Sequence, residues 1–279
     1  MEEISLEKLI KSKNPQIFEK YPKFLLDMVF SFVSRILHLK EINQFIKDSK
    51  NLFDLDYTRA VFKMLNFSYS YKEEDLNKIP KEGKLIVVAN HPLGALDGLS
   101  IVEMIRKVRP DAKIVVNDLL SNLKNLDGIF LPVDLYNTKS QRENLIRISQ
   151  MMKEEKCVIF FPAGKVSRLV NFKIRDPKWN KGAVTIARKF NSPVLPIFIN
   201  GRNSFSFYIL AKLKDIFATF LLPREMFKKR NYTLNCKFGN LVDEKIFNEI
   251  NSDREITDLL KDYIYSLDKS QTEIKKYFK

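Results

Sequence analysis

Beyond Pro80 the sequence alternates short apolar runs with longer amphipathic stretches, and this alternation restricts the fold more than any other feature. The runs KLIVVAN (84–90), KIVVN (113–117), GIFLPVD (128–134), CVIFF (157–161) and VLPIFIN (194–200) have the length and branched apolar content of strands. Between them, 98–108, 138–155 and 181–190 carry helical spacing. Successive strands joined through a helix run parallel, because the crossover returns the chain to the end it started from. The expected architecture is α/β, a mixed, largely parallel sheet flanked by helices, with an N-terminal helical subdomain. Such sheets carry their functional residues at the carboxyl ends of strands.

Upstream, Asn14-Pro15 and Tyr21-Pro22 read as helix entries, since proline is tolerated in a first turn. From Phe24 the residues Phe24, Leu25, Met28, Val29, Phe32, Val33, Ile36 and Leu37 draw one wide apolar stripe, which Leu26, Phe30 and Leu39 broaden. This amphipathic helix either packs on the domain or lies in a membrane interface. A second helix is expected over 52–66, and a C-terminal helix with a basic end from Ser252. Residues 1–75 are thus read as an N-terminal helical region that contacts a membrane, and 76–279 as the α/β domain.

A chain of 279 residues suits one large core. Its two cysteines, Cys157 and Cys236, are too few for a disulfide scaffold and sit in strand-like surroundings, so both are expected to be buried. The start MEEISLEK lacks the pattern of a secretory signal, which predicts a cytoplasmic location. With 48 Lys and Arg against 34 Asp and Glu, the formal charge of +14 attracts polyanions. The basic residues are dispersed, however, and no helix-turn-helix, zinc or RNA-binding signature is present, so nucleic acid is not the expected partner. No apolar run approaches the ~18 residues of a spanning helix, which leaves association with a membrane surface.

VVANHPLGALDG (87–98) runs from a strand directly into His91, and six residues later reaches Asp97 at the expected N-cap of the next helix. One reading is a cap; the other is a catalytic pair in which Asp97 fixes the tautomer of His91 and the free ring nitrogen takes a proton. CVIFFPAGKVSR (157–168) is a second strand breaking into a loop, with Gly164, Lys165, Ser167 and Arg168. His38 is expected near the end of the Phe24 helix, where positive charge suits the helix dipole. Trp179 is expected to anchor its loop, in the core or at an interface.

NHPLGALDG, FPAGKVSR and WNKGAVTIARKFNSPVLPIFINGRNS (179–204), in this order and spacing, resemble the glycerolipid acyltransferase superfamily. Five residues rather than four separate His91 from Asp97, Ala163 stands where other members have glutamate, and Lys165 stands where an acidic residue is common. The five-residue gap followed by FPAG and VSR, with the GRNS segment, resembles the bacterial branch of hemolysin-like proteins and ornithine- or glycine-lipid O-acyltransferases. The resemblance implies a glycerolipid acyltransferase-like fold. It implies that His91 deprotonates the hydroxyl of an anionic lyso-lipid, lysophospholipid or lyso-amino-acid lipid, for attack on an acyl thioester of coenzyme A or acyl carrier protein. Asp97 orients the ring, and backbone N–H groups after His91 supply the oxyanion donors.

Arg168 is the first candidate for gripping the anionic head, because guanidinium makes paired hydrogen bonds with such groups. Lys165 and Lys181 assist, Ser167 and Gly164 shape the substrate loop, and Asn90 supports the His91 loop. Neither a metal nor a cofactor beyond the acyl donor is expected. The basic, apolar stretch 205–230 and the Phe24 helix would bind an anionic lipid surface, making the protein monotopic on the cytoplasmic face of the inner membrane. An inactive lipid-binding protein of the same fold is the alternative.

Overall fold

In a computed structural model of the protein, which describes residues 4–13, 15–117, 123–133, 138–170, 172–213 and 215–269, the five apolar runs form five adjacent strands of one seven-stranded sheet, reaching one of its edges. The chain opens with helices α1 (Leu6–Lys13), α2 (Gln16–Lys20), α3 (Lys23–Ile36), α4 (Leu39–Asp48) and α5 (Asp54–Leu65), then the short strand β1 (Ser68–Ser70). There follow β2 (Leu85–Ala89), α6 (Ala95–Arg106), β3 (Lys113–Asn117), β4 (Phe130–Val133), α7 (Thr138–Lys153) and β5 (Cys157–Phe160). A hairpin of β6 (Arg168–Val170) and β7 (Lys173–Arg175) leads to α8 (Gly182–Phe190) and β8 (Val194–Asn200). Helices α9 (Phe205–Leu213) and α10 (Asp215–Phe227), strand β9 (Thr233–Phe238), α11 (Glu244–Glu249) and α12 (Asp253–Ser266) complete the described chain.

The sheet order is β1-β9-β8-β2-β5-β3-β4. Pairing is parallel throughout except between β8 and β9. The sheet is therefore mixed and largely parallel, with helices on both faces. Period-two alternation divides β2 between two cores. Leu85, Val87 and Ala89 join the side covered by α5 and α6, while Ile86 and Val88 join the side covered by α7, α8 and α12. Burial on both faces explains why this strand reads as an unbroken apolar run rather than an alternating one.

Several boundaries differ from the sequence reading. The Phe24 helix stops at Ile36, because His38 adopts a left-handed φ of 56° and opens α4. His38 places Nδ1 2.7 Å from Glu41 Oε1 and stacks on Phe227. The helix expected from Gly98 begins three residues earlier, at Ala95, after Gly94 turns the chain with a φ of 102° that side chains resist. Strands β1, β6 and β7 add to those expected from the sequence, and the strand-like surroundings of Cys236 are strand β9. Asn14, Asp134, Lys214 and the basic end at 270–279 lie outside the described residues.

Cys157 and Cys236 are both buried in the α5–α6 side of the core, where desolvation pushes their thiols well above the usual range. An aromatic disulfide reagent is expected to label neither in the folded protein and both after unfolding in guanidinium. Rapid labelling of either one in native buffer would contradict this packing.

Candidate active site

In the sheet β2 lies between β5 and β8, so the loops leaving the carboxyl ends of these three strands are neighbours although they are distant in sequence. The first holds His91, the second FPAG, the third GRNS. Asn90 clamps β2 to β8: its Nδ2 donates to Ile199 O at 2.9 Å and its Oδ1 accepts from Ile199 N at 2.7 Å. Asn203 Nδ2 donates to Pro92 O at 3.1 Å, tying the third loop to the first. Ser167 N donates to His91 O at 2.7 Å, tying the second.

His91 Nδ1 stands 3.1 Å from Asp97 Oδ2, close enough for an ion pair although not aligned as a straight hydrogen bond. The His91 side chain is 19% exposed and Asp97 fully buried. The ring stacks on Phe161, with centroids 4.2 Å apart, which fixes its plane. Nε2 makes no hydrogen bond with the described residues.

Asp97 is the third residue of α6 rather than its N-cap, which is Gly94. From there its Oδ2 accepts from Leu93 N at 2.7 Å and Gly94 N at 3.0 Å, so it caps by reaching back. Those two N–H groups are thereby taken, and the expectation of oxyanion donors after His91 narrows to the first turn of α6. Burial lifts the Asp97 carboxyl above the usual carboxylate range, opposed by His91 and the two backbone donors. A buried anion that is poorly solvated gains more from a cation beside it than an exposed one does, which suits Asp97 to stabilise a transient imidazolium.

Sequence reasoning missed the residue that holds these loops together. Buried Asp176, just after β7, accepts from His91 N at 3.2 Å, Ser167 Oγ at 2.6 Å and Trp179 Nε1 at 2.8 Å. Its own N–H donates to Tyr265 Oη at 2.7 Å, and Lys261 Nζ donates to its carbonyl. Trp179 is thus a core anchor. No motif marks Asp176, because it stands alone in a polar stretch and its partners are distant.

The other site candidates are placed as follows. Ser167 is buried and spends its hydroxyl on Asp176. Arg168 directs Nη1 to Val166 O at 2.6 Å and lies over the Phe207 ring. Gly164 and Lys165 are exposed at the tip of the second loop, where Gly164 has a φ of 62°. Lys181 is exposed at the start of α8. Asn180 N donates to Pro162 O at 2.8 Å, so this segment borders the FPAG loop.

Comparison with known proteins gives three findings. The profile of a family described as acyltransferase matches residues 8–273. Two proteins named lyso-glycine lipid O-acyltransferase, from Bacteroides thetaiotaomicron and Phocaeicola vulgatus, are each 31% identical over 272 residues. The alignments cover 95% of this chain and 97% and 95% of those proteins. The crystal structure of the 1-acyl-sn-glycerophosphate (LPA) acyltransferase PlsC from Thermotoga maritima is similar with a TM-score of 0.48 at 20% identity, covering 90% of this chain and 98% of that one.

Proposed function

Because the chain belongs to the acyltransferase family, we propose that it acylates the free hydroxyl of an anionic lyso-lipid, with a lyso-glycine lipid as the first candidate acceptor. The observation that carries the chemistry is His91 Nδ1 set against the buried Asp97 carboxylate, with Nε2 left open. Nε2 takes the acceptor's hydroxyl proton as the oxygen attacks the thioester carbonyl. The oxyanion of the tetrahedral intermediate is met by the N–H groups of Ala95 and Leu96, which have no helical carbonyl to bond. Collapse breaks the carbon–sulfur bond, and the thiolate leaves with the proton held by His91. Coenzyme A or acyl carrier protein supplies the acyl thioester.

The assay is thiol release from acyl-coenzyme A and from acyl carrier protein, with lyso-glycine lipid, lyso-ornithine lipid and lysophosphatidate as acceptors. Acceptor-dependent release with the lyso-glycine lipid supports the reading. Release only with lysophosphatidate would replace the acceptor, and release with none would sink the transfer.

A water-insoluble acceptor brings the site to a bilayer, and two surfaces suit that contact on the cytoplasmic face of the inner membrane. Among the described residues no helix is long and apolar enough to cross a membrane. Helix α3 buries only Leu26 and leaves Phe24 73% and Phe32 63% exposed, while Phe205 at the start of α9 is 72% exposed. Apolar insertion of these rings and attraction of the net positive chain to anionic headgroups act together. Phe24→Ser with Phe32→Ser is expected to cut flotation with anionic vesicles about tenfold, since each buried aromatic contributes roughly 1.5–3 kcal/mol of which a shallow interface recovers part. Unchanged flotation would remove α3 from the membrane face.

A further inference from the structure

A small apolar core, separate from the two that flank the sheet, joins hairpin β6–β7 to helices α9 and α10 as one body. Leu169 and Ile174 of the hairpin and Leu222 of α10 pack there against buried Val166, Phe207 and Ala218. This body rests on the catalytic turn. Ser167, one residue before β6, donates to His91 O, and a Cβ at Gly94 would stand 3.2 Å from Leu222 Cδ2 and 3.5 Å from Val166 Cγ1. Whatever the body binds is therefore brought up against the site.

Its outer side leaves apolar groups in water. On α9, Phe205, Ile209 and Leu213 recur every fourth residue and are exposed, on the stripe opposite buried Phe207, Tyr208 and Ala211. At the tip of the hairpin, between Val170 and Lys173, Phe172 is 100% exposed and has a φ of 60°. Two costs meet in Phe172: left-handed backbone is unfavourable for a bulky side chain, and a whole aromatic ring stands in water. Asparagine or glycine would take this turn at less cost. Packing within the described chain accounts for neither.

The charges around these groups select what covers them. Segments 164–175 and 205–213 carry Lys165, Arg168, Lys173, Arg175 and Lys212 and not one acidic side chain. A second copy of the chain would set these cations against their own kind. An acidic protein would satisfy them, but offers no hydrocarbon depth to a ring that stands clear at a hairpin tip. An anionic bilayer offers both. We infer that the β6–β7 hairpin is a membrane wedge: Phe172 enters the acyl boundary of an anionic bilayer, the α9 stripe lies in the interface beside it, and the basic residues meet the headgroups. This rests on the reading of the protein as one that works on a lipid at a bilayer, and it attaches the contact directly to the loop that carries FPAG.

The sole tryptophan, Trp179, is buried, so a Phe172→Trp variant of the full chain reports from the hairpin tip against a constant background. With vesicles of phosphatidylcholine and phosphatidylglycerol in equal parts, its emission should shift to the blue and be quenched by brominated acyl chains, while that of the wild type stays unchanged. Phe172→Asn should melt at or above the wild-type temperature in vesicle-free buffer, and should bind these vesicles about fivefold more weakly. Its acylation of a vesicle-borne acceptor should fall in step, whereas a short-chain acceptor below its micelle concentration should turn over at the wild-type rate. Emission of Phe172→Trp that ignores vesicles while the protein still floats overturns the wedge, and a response to acyl carrier protein instead assigns the surface to an acidic protein. Loss of a dimer in Phe172→Asn would assign it to a second copy, and a lower melting temperature to packing within the chain; either overturns the wedge. Failure of the acyl-transfer reading is seen separately, as a wild type that releases no thiol yet inserts Phe172.

Discussion

His91→Ala is expected to lower kcat for acyl transfer by about 100-fold to 10,000-fold, the range for losing a positioned general base. The fold should survive, because among the described residues the His91 side chain makes its approach to Asp97 and its stack on Phe161, while the loop is held through the backbone N–H and carbonyl of residue 91. Melting temperature and vesicle binding should therefore stay near wild type while thiol release disappears. Asp97→Ala should differ in kind. It removes the same partnership, and it also strands the N–H groups of Leu93 and Gly94, so activity and stability should fall together. Retention by His91→Ala of more than a tenth of wild-type kcat would exclude His91 as the base and revive the inactive lipid-binding alternative for this site.

Asp176→Ala should be the most destabilising single change near the site, by roughly 3–5 kcal/mol. Its carboxylate is the shared acceptor for His91 N, Ser167 Oγ and Trp179 Nε1, all in a water-poor environment. Removing it leaves three donors without an acceptor at once. Asp176→Asn keeps the volume and one oxygen, and should lie between wild type and alanine. Activity should drop as well, since a shift of about 1 Å in a catalytic loop can cost ~100-fold. Urea unfolding decides the point: a change below 1 kcal/mol in Asp176→Ala would mean that the loops hold one another without this carboxylate.

What the sequence revealed depended on how each element is stabilised. Strands β2, β5 and β8 are buried on both faces, so their apolar runs stood out against the polar loops. Strand β1 is three residues of Ser-Tyr-Ser and gave no signal, while β9 alternates buried with exposed residues around Asn235 and Lys237, so only the strand-like surroundings of Cys236 hinted at it. The start of α6 was misplaced because the turn depends on the backbone of Gly94, whereas an aspartate before an apolar stretch reads as a cap. His91 and Asp97 were legible because both lie on one local turn. Asp176 and Asn203 act across the sheet on partners far away in sequence, and single-residue signals of that kind become visible only in three dimensions.

The site is stitched by hydrogen bonds that span 85 residues from His91 to Asp176, 109 from Asn90 to Ile199 and 111 from Pro92 to Asn203. Closing such long loops is entropically expensive, and it is offset only when the central strands pair. During synthesis the chain through β5 carries both His91 and Asp97 but lacks the carboxylate and the amide that seat their loop. The His91 loop is accordingly seated only once β8 has docked beside β2. The geometry around His91 and Asp97 is thus a product of the finished sheet rather than of the local turn that carries them, and a chain ending at β5 has the residues without the frame.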